Sequence, residues 1–169
     1  TSAKMSTVNS EVTSVPINVV LFQPEIPQNT GNIGRTCAAL GAKLWIVQPA
    51  GFRLDSSHLR RAGMDYWKQL NWESVASWKE LLERLPDCQF WLGTKFGKID
   101  YFRADYQIGC GLVIGRETSG LPDWLREAHA DHCIRIPMPT ATRSLNQASA
   151  ASIVMYEAAR RIGLFQNLA

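Results

Sequence analysis

The chain has 169 residues and a net charge of +3, with 18 Lys and Arg against 15 Asp and Glu. This length favours one domain with a core of its own, and the slight basic excess is weak support for an anionic partner such as RNA. No apolar run approaches the roughly 18 residues that a membrane-spanning helix requires. The four cysteines are scattered and show no CxxC spacing, which favours a reduced, cytosolic chain.

The amino-terminal part predicts a leader followed by a βαβ unit. Residues 1–15 are rich in Ser, Thr and Val, and we interpret them as a flexible leader before a single domain over residues 16–169. Residues 17–22 are apolar and β-branched, which is typical of a buried parallel strand. The next segment has turn chemistry, and a helical pattern then follows up to Gly41. Residues 43–49 predict the second strand.

The middle of the chain continues this alternation. A short helix is expected over residues 57–63, where Asp55 or Ser56 could cap it, and an amphipathic helix over residues 74–85. Three apolar runs predict further strands, at residues 88–94, 109–115 and 131–137. The segment between the first two is polar and irregular, and the segment between the last two contains a tight turn and a short helix. The fold class is therefore α/β, with a mostly parallel sheet and helices on both faces.

Polar residues collect in the loops that follow the predicted strands. In open α/β sheets, ligands bind at the carboxyl ends of the strands. Four loops could therefore converge on one site, at residues 28–35, 93–94, 115–120 and 137–146.

The carboxyl-terminal segment begins polar and continues as an apolar helix over residues 145–162. Ser144 and Gln147 have the spacing of a capping box, in which each side chain binds a backbone N–H of the other residue. This interpretation leaves Asn146 unexplained. The apolar helix also offers a surface for a second copy of the chain.

Several common functional motifs are missing or incomplete. NTGNIG is not the GxGxxG of dinucleotide-binding folds, and neither GxxxxGK[ST] nor GxSxG occurs. His129, His132 and Cys133 fall short of a closed metal site, so no metal is expected. Trp45 and Trp91 are expected in the core, whereas Trp67 is the better candidate for a base-stacking surface.

Single residues of these loops also have purely structural explanations. Asn29 could cap the helix that follows it, and Arg35 could be an exposed charge. Gly115 and Gly120 could serve only to make turns, with Glu117 favouring a helix N-terminus. Together, however, these explanations leave several polar groups at strand ends without a role in the fold.

Three ordered segments of the chain resemble the motifs of the SPOUT-superfamily RNA ribose 2′-O-methyltransferases of the TrmH type: NTGNIGR (29–35), IGRETSGLP (114–122) and IPMPTATRSLN (136–146). The resemblance extends over residues 17–161 and is strongest to the small TrmL-like tRNA methyltransferases. It implies a SPOUT fold with a deep trefoil knot in its carboxyl-terminal part, and a cytoplasmic homodimer. The implied reaction is methyl transfer from S-adenosylmethionine to the ribose of tRNA nucleotide 34, a cytidine or modified uridine in leucine tRNAs.

The resemblance also implies roles for individual residues. Arg35 matches the proposed general base, although a guanidinium is almost always protonated and could instead stabilise the developing alkoxide. Glu117 would hold Arg35 or a loop, and Asn29 would hold the turn before the Arg35 helix. The expected catalytic residues are Arg35, Asn29, Glu117, Ser144 and Asn146. The expected cofactor-binding residues are Leu92, Gly93, Thr94, Gly115, Ile136, Met138, Ser144 and Leu145, with Ile136 and Leu145 enclosing the adenine.

The expected RNA contacts are cations that bind phosphates of a tRNA anticodon arm. The family commonly has an apolar residue and Ser after SLN, whereas this chain has Gln147 and Ala148. Two alternatives stay open: methylation of another tRNA position or of ribosomal RNA, and a non-catalytic RNA-binding module that retains the cofactor fold. The expected RNA-binding residues are Arg60, Arg61 and Arg143, with Lys95, Lys98 and Arg103 also around the cleft.

Overall fold

The computed structural model describes residues 14–55, 57, 65–141 and 144–168. The predicted leader and the predicted helix over residues 57–63 lie almost wholly outside the described residues.

The described residues form one seven-stranded sheet in which the neighbouring strands pair in parallel. The strand order is β3-β2-β1-β6-β4-β7-β5. Strand β1, which lies between β2 and β6, is buried along its whole length, as expected for a parallel strand that is covered on both faces. The strands are β1 (Ile17–Phe22), β2 (Lys43–Val47), β3 (Trp72–Val75), β4 (Phe90–Gly93), β5 (Ile99–Asp100), β6 (Cys110–Ile114) and β7 (Cys133–Arg135).

Helices cover both faces of the sheet, which confirms the predicted fold class. The α-helices of the described residues are α1 (Pro27–Leu40), α2 (Trp78–Arg84), α3 (Asp123–Ala128) and α4 (Gln147–Arg161). On one face, Ile33 of α1 and Met155 of α4 lie in a core cluster with Val19 of β1. On the other face, Leu81 of α2 and Leu125 of α3 form a second cluster. None of the described helices is long and apolar enough to cross a membrane.

Helix α1 begins within the segment that the sequence predicts as a turn. Pro27 is at the start of the helix, where its fixed φ suits the first turn and its missing N–H leaves no bond unmade. Asn29 therefore lies inside the helix, only 8% exposed, and the prediction that it caps the helix or holds the preceding turn is wrong. Gly41 ends α1 in the left-handed conformation, at φ 67°, as predicted.

The sequence pattern misses two short strands. The helix predicted over residues 74–85 is wrong at its start, because Trp72–Val75 pairs with β2 and Ser77 caps α2 by accepting a hydrogen bond from Glu80 N at 3.2 Å. Val75 and Trp78 belong to the same core cluster, so the apolar spacing runs on across the boundary between strand and helix. In the segment predicted as irregular, β5 adds an edge to the sheet by pairing with β7.

Trp67 is buried rather than a surface platform. It is 4% exposed, and its ring centroid lies 4.9 Å from that of Trp72. The prediction of a base-stacking role for Trp67 is therefore wrong, whereas Trp45 and Trp91 are buried as predicted.

Strand β7 lies between β4 and β5, both of which precede it in the chain. The chain after β7 then returns as α4 to pack beside α1. The trefoil knot stays a prediction, and this strand order is compatible with it.

Candidate functional site

A cavity of about 530 Å³ lies at the carboxyl ends of β4, β6 and β7; we call it the main cavity. Its size falls within the roughly 300–1,000 Å³ that is usual for small-molecule sites. Leu92, a predicted cofactor residue, does not line the cavity, because its side chain is fully buried in the core. The predicted cofactor residues that line it are Gly93, Thr94, Gly115, Ile136, Met138, Ser144 and Leu145.

The loop after β6 closes on itself at Gly115. Arg116 and Gly120 exchange two backbone hydrogen bonds, at 3.2 and 2.9 Å. A Cβ atom added at Gly115 would lie 2.6 Å from the carbonyl carbon of Gly120 and from Leu121 N. The sequence predicts a close backbone approach at Gly115. In the structure, the backbone that comes close to Gly115 is that of Gly120 and Leu121 in the same loop, and this contact shapes one wall of the cavity.

Charged and aromatic groups also line the main cavity. Phe96 is 58% exposed, and the guanidinium carbon of Arg126 lies 4.3 Å from the centre of its ring, close enough for a cation–π contact. Lys95 lines the cavity as predicted, together with Arg116 and Arg135. Phe96 and Arg126 lie outside the three motifs, and nothing in their spacing places them beside the motif loops. Arg116 lies within IGRETSGLP (114–122), but the motif alone does not show that it lines the cavity.

The other cations that the sequence predicts around the cleft do not lie at the main cavity or fall outside the described residues. Lys98 and Arg103 do not line the main cavity. Arg103 is 73% exposed, and its nearest acidic atom is an Asp100 oxygen at 3.8 Å. The predicted RNA-binding residues Arg60, Arg61 and Arg143 lie outside the described residues.

Two glutamates tie the loop before α1 to the loop after β6. Glu117 accepts hydrogen bonds from Glu25 N at 2.9 Å and from Ile26 N at 3.1 Å. Glu25 in turn accepts from Thr118 N at 3.1 Å and from its hydroxyl at 2.8 Å. The hydrogen bond from the Thr118 backbone is the main cause that lowers the pKa of Glu25. Glu117 thus holds a loop, as one of the two predicted alternatives has it, by binding the backbone N–H groups of the two residues that precede α1.

Asn146 caps α4, so the predicted capping box of Ser144 and Gln147 is wrong. Its Oδ1 accepts from Ala148 N at 2.9 Å and from Ser149 N at 3.3 Å. Its Nδ2 donates to Oδ1 of Asn29 at 3.2 Å. One side chain therefore starts α4 and connects it to the first turn of α1.

Arg35 lies in a separate, open groove between α1 and α4, which we call the Arg35 groove. Thr36 and Ser152 join the two helices there through a 3.0 Å hydrogen bond between their hydroxyls. Asn146 is the residue that lines both the main cavity and the groove. The groove is lined by Asn32, Arg35, Thr36, Asn146, Ala148, Ser149 and Ser152.

The histidines have packing roles. His129 contacts the rings of Trp78 and Phe90, at centroid distances of 5.8 and 6.3 Å, and burial lowers its pKa. His132 packs on Trp91. Among the residues that the structure describes, no cluster of His, Cys, Asp and Glu could hold a metal ion.

This arrangement suits a reaction between two molecules. The main cavity can enclose a small molecule among apolar side chains and backbone groups, and the Arg35 groove can hold a larger polar partner. Because Asn146 bounds both spaces, the two molecules can meet beside it.

Known proteins are similar to this chain in sequence and in fold. Residues 16–156 match the model of the SpoU rRNA Methylase family. A protein of Bacillus subtilis described as a putative tRNA (cytidine(34)-2′-O)-methyltransferase is 45% identical over 150 residues, which cover 87% of this chain and 94% of the relative. The tRNA (cytidine(34)-2′-O)-methyltransferase of Escherichia coli is 44% identical over 149 residues, covering 87% and 94% of the two chains.

Solved structures give the same result. A structure described as giving insights into the 2-OH methylation of C/U34 on tRNA superposes with a TM-score of 0.80 at 40% identity, covering 86% of this chain and 95% of the other. An AdoMet-bound rRNA methyltransferase from Sinorhizobium meliloti has a TM-score of 0.76 at 28% identity, covering 86% and 58%. The chain belongs to the SpoU rRNA methylase family.

Proposed function

We propose that the chain uses S-adenosylmethionine to methylate the ribose 2′-hydroxyl at nucleotide 34 of tRNA, a cytidine or modified uridine in leucine tRNAs. The observation that carries this proposal is the enclosed cavity beside an open groove that presents Arg35, with Asn146 between them. The relatives named for cytidine 34 support the substrate, since the chain covers 94% of each of the two compared.

The residues of the main cavity fit S-adenosylmethionine, which would supply an electrophilic methyl group. Ile136 and Leu145 would enclose the adenine ring. Backbone groups of Gly93, Thr94 and Gly115 would bind the polar edges of the nucleoside, because these residues line the main cavity at the carboxyl ends of strands.

Methyl transfer to a ribose requires that the 2′-hydroxyl be held behind the methyl carbon and pass its proton to a base, either Arg35 or solvent. S-adenosylhomocysteine then leaves with the electrons of the broken sulfur–methyl bond. Positioning of this kind can supply about 7–11 kcal/mol of the barrier. Arg35 acts on the ribose side, where its guanidinium stabilises the developing alkoxide or a neighbouring phosphate. Asn146 orients the ribose or its loop, and Asn29 fixes Asn146 through their hydrogen bond.

Glu117 and Ser144 have supporting roles in this proposal. Glu117 is a positioning residue, because its hydrogen bonds to the loop before α1 set the place of the helix that carries Arg35. Ser144 lines the main cavity and is exposed, so its hydroxyl is available to the bound nucleoside.

The partners proposed are a tRNA anticodon arm and a second copy of the chain. Ile153 and Tyr156 lie one turn apart on α4 and are 38% and 47% exposed, so they form an apolar stripe that a symmetric contact would cover. The stripe lies beside the Arg35 groove, since Ser152 and Ser149 belong to the same helix. A dimer would bring two such grooves to one tRNA, where Arg60, Arg61 and Arg143 would contact phosphates.

The proposal is tested in a strain that lacks this gene, by mapping ribose methyl groups along its tRNAs. We expect the methyl group at nucleotide 34 to be missing, to return with the wild-type gene, and to stay missing with Arg35→Ala. A wobble ribose that stays methylated in the deletion strain would overturn the substrate assignment.

A second candidate is methylation of ribosomal RNA or of another tRNA position. The fold similarity to the Sinorhizobium rRNA methyltransferase favours it, although this chain spans only 58% of that protein. Mapping both RNA classes in the same strain separates the two candidates. A non-catalytic RNA-binding role would instead predict that the purified protein does not bind S-adenosylmethionine.

A further inference from the structure

Gln147, the first residue of α4, lines the main cavity and carries a buried acceptor without a hydrogen-bond partner. Its Nε2 donates to the carbonyl oxygen of Gly115 at 2.6 Å. Its Oε1 is buried and has no hydrogen-bond partner. The amide cannot be turned round, because its oxygen would then face the Gly115 oxygen, which only accepts. The free position of Gln147 is therefore fixed as an acceptor.

An unpaired acceptor of this kind is unusual inside a protein. Buried polar atoms nearly always have a partner, since an unpaired atom has lost the hydration that it had in the unfolded chain. An apolar residue at position 147 would leave no such atom, so the amide is a feature that packing alone does not explain.

The location of Gln147 points to a ligand. Gln147 lines the main cavity between Gly115 and the helix start capped by Asn146. Gln89 also has a buried, unpaired Oε1, but it does not line the cavity. Both oxygens are buried and unpaired, and the two glutamines differ in that only Gln147 lines the main cavity.

We propose that Oε1 of Gln147 accepts a hydrogen bond from bound S-adenosylmethionine; this inference rests on the proposed function, because it needs that cofactor in the main cavity. The chemistry required is an N–H or O–H donor. The cofactor has three sources of such a donor: the adenine amino group, the ribose hydroxyls and the ammonium group of its methionine part.

The other end of the same amide positions the cavity wall. The bond from Nε2 to Gly115 joins the loop after β6 to the start of α4. Loss of this bond would affect every ligand of the cavity equally, whereas loss of the Oε1 contact would affect only ligands that carry the matching donor. This difference separates a binding role from a structural one.

The test measures the affinity of S-adenosylhomocysteine by isothermal titration calorimetry for the wild type, Gln147→Leu and Gln89→Leu. Leu is close to Gln in size and removes the acceptor. We expect Gln147→Leu to bind about tenfold more weakly, as loss of one hydrogen bond from a buried site predicts, and Gln89→Leu to stay within about twofold. Equal affinity of Gln147→Leu and wild type would overturn the inference, since a water molecule or no partner would then suffice for Oε1.

Three modified ligands identify the donor: S-inosylhomocysteine lacks the amino group, 5′-methylthioadenosine lacks the amino acid, and deoxyribose analogues lack one hydroxyl. The loss caused by Gln147→Leu should nearly vanish for the one ligand that lacks the partner of Oε1. An equal loss with every ligand would overturn the inference and assign Gln147 a structural role through Gly115. If the wild type binds none of these ligands, the proposed function fails instead.

Discussion

The side-chain amide of Asn146 donates a hydrogen bond to Oδ1 of Asn29 across 3.2 Å. This bond connects the first turns of α4 and α1, and Asn146 caps α4 at the same time. Because α1 also carries Arg35, the contact between the two asparagines sets where the guanidinium stands relative to the main cavity. A small rotation of either helix would therefore separate the groups that the proposed reaction needs together.

The asparagine pair should tolerate one aspartate but not two. In Asn29→Asp or Asn146→Asp, the remaining amide can donate to the new carboxylate. This bond offsets part of the cost of a charge at the buried position 29, and we expect each single variant to lose at most about 1 kcal/mol of the free energy of unfolding. The double variant places two carboxylates face to face, and we expect it to lose roughly 1–3 kcal/mol at pH 7. Urea unfolding measures these changes.

The double variant also has a defined pH dependence. Repulsion raises the pKa of a facing carboxyl pair in the folded state, so the lost stability should return as the pH falls and one group binds a proton. Asn146→Ala removes both the cap, which is worth about 1 kcal/mol, and the bond to Asn29, whereas Asn29→Ala removes that bond and leaves the cap in place. Simple additivity of the two aspartate variants would show that the pair makes no direct bond.

Arg35 should matter for turnover and not for cofactor binding. It is exposed and lies outside the main cavity, so Arg35→Ala should bind S-adenosylhomocysteine within about twofold of wild type and unfold at the same urea concentration. Methyl transfer to tRNA should fall by about 10²–10³, the range seen when one stabilising donor is removed. Calorimetry and single-turnover methylation separate the two effects, with Arg35→Lys as the charge-preserving control. Loss of cofactor affinity in Arg35→Ala would contradict the separation of groove and cavity.

Glu25 should contribute stability that depends on pH. The pKa of Glu25 is lowered in the folded protein, first by the hydrogen bond from the Thr118 backbone. The carboxylate therefore stabilises the fold above its ordinary pKa of 4.5, and this contribution disappears as the pH falls through the lower, folded value. We expect Glu25→Gln to be less stable than wild type at pH 7 and to lose less stability on acidification.

The matched control for Glu25 is Glu83→Gln, an exposed carboxylate on α2. Urea unfolding between about pH 3 and pH 7 compares the three proteins. Parallel curves for Glu25→Gln and wild type would mean that the bonds to Thr118 do not hold in solution.

Gly115 should be more sensitive to alanine than Gly120 in the same loop. A Cβ atom at Gly115 meets backbone at 2.6 Å, whereas Gly120 has φ +65° and nothing within 4 Å of an added Cβ. We expect Gly120→Ala to cost roughly 1–2 kcal/mol through its backbone conformation, and Gly115→Ala to cost more, because the loop must open. Thermal unfolding orders the two variants, and the reverse order would refute the close backbone approach.

The α/β class was predictable because buried parallel strands are nearly continuous apolar runs, as β1, β2 and β6 are, with Asn18 and Lys43 as the polar exceptions. The two missed strands lack this signal: β3 and β5 are short edge strands, and part of β3 shares its apolar spacing with the helix that follows. The start of α1 was hidden for another reason. Pro27, Gly31 and Gly34 have turn-like propensities, and tertiary contacts from the Glu117 loop override them.

The candidate site was predictable where three motifs in order carried it, and most of the expected cofactor residues do line one cavity. The contacts between pairs of residues in different motifs could not be predicted. The Asn29–Asn146 bond and the Gln147–Gly115 bond each join residues far apart in the chain, and no local pattern encodes such a pairing. The capping-box spacing favours Ser144 as the cap of α4, because spacing alone cannot distinguish Ser144 from Asn146.

The pairing of β1 with β6 has a consequence for how this protein is made in the cell. One edge of β1 pairs with β6, so that edge stays open during translation until residues 110–114 have left the ribosome. An apolar strand with a free edge readily recruits other nascent chains. Fragments that end before Cys110 should therefore aggregate or be degraded, and the carboxyl-terminal third protects the rest of the chain as well as completing its cavity.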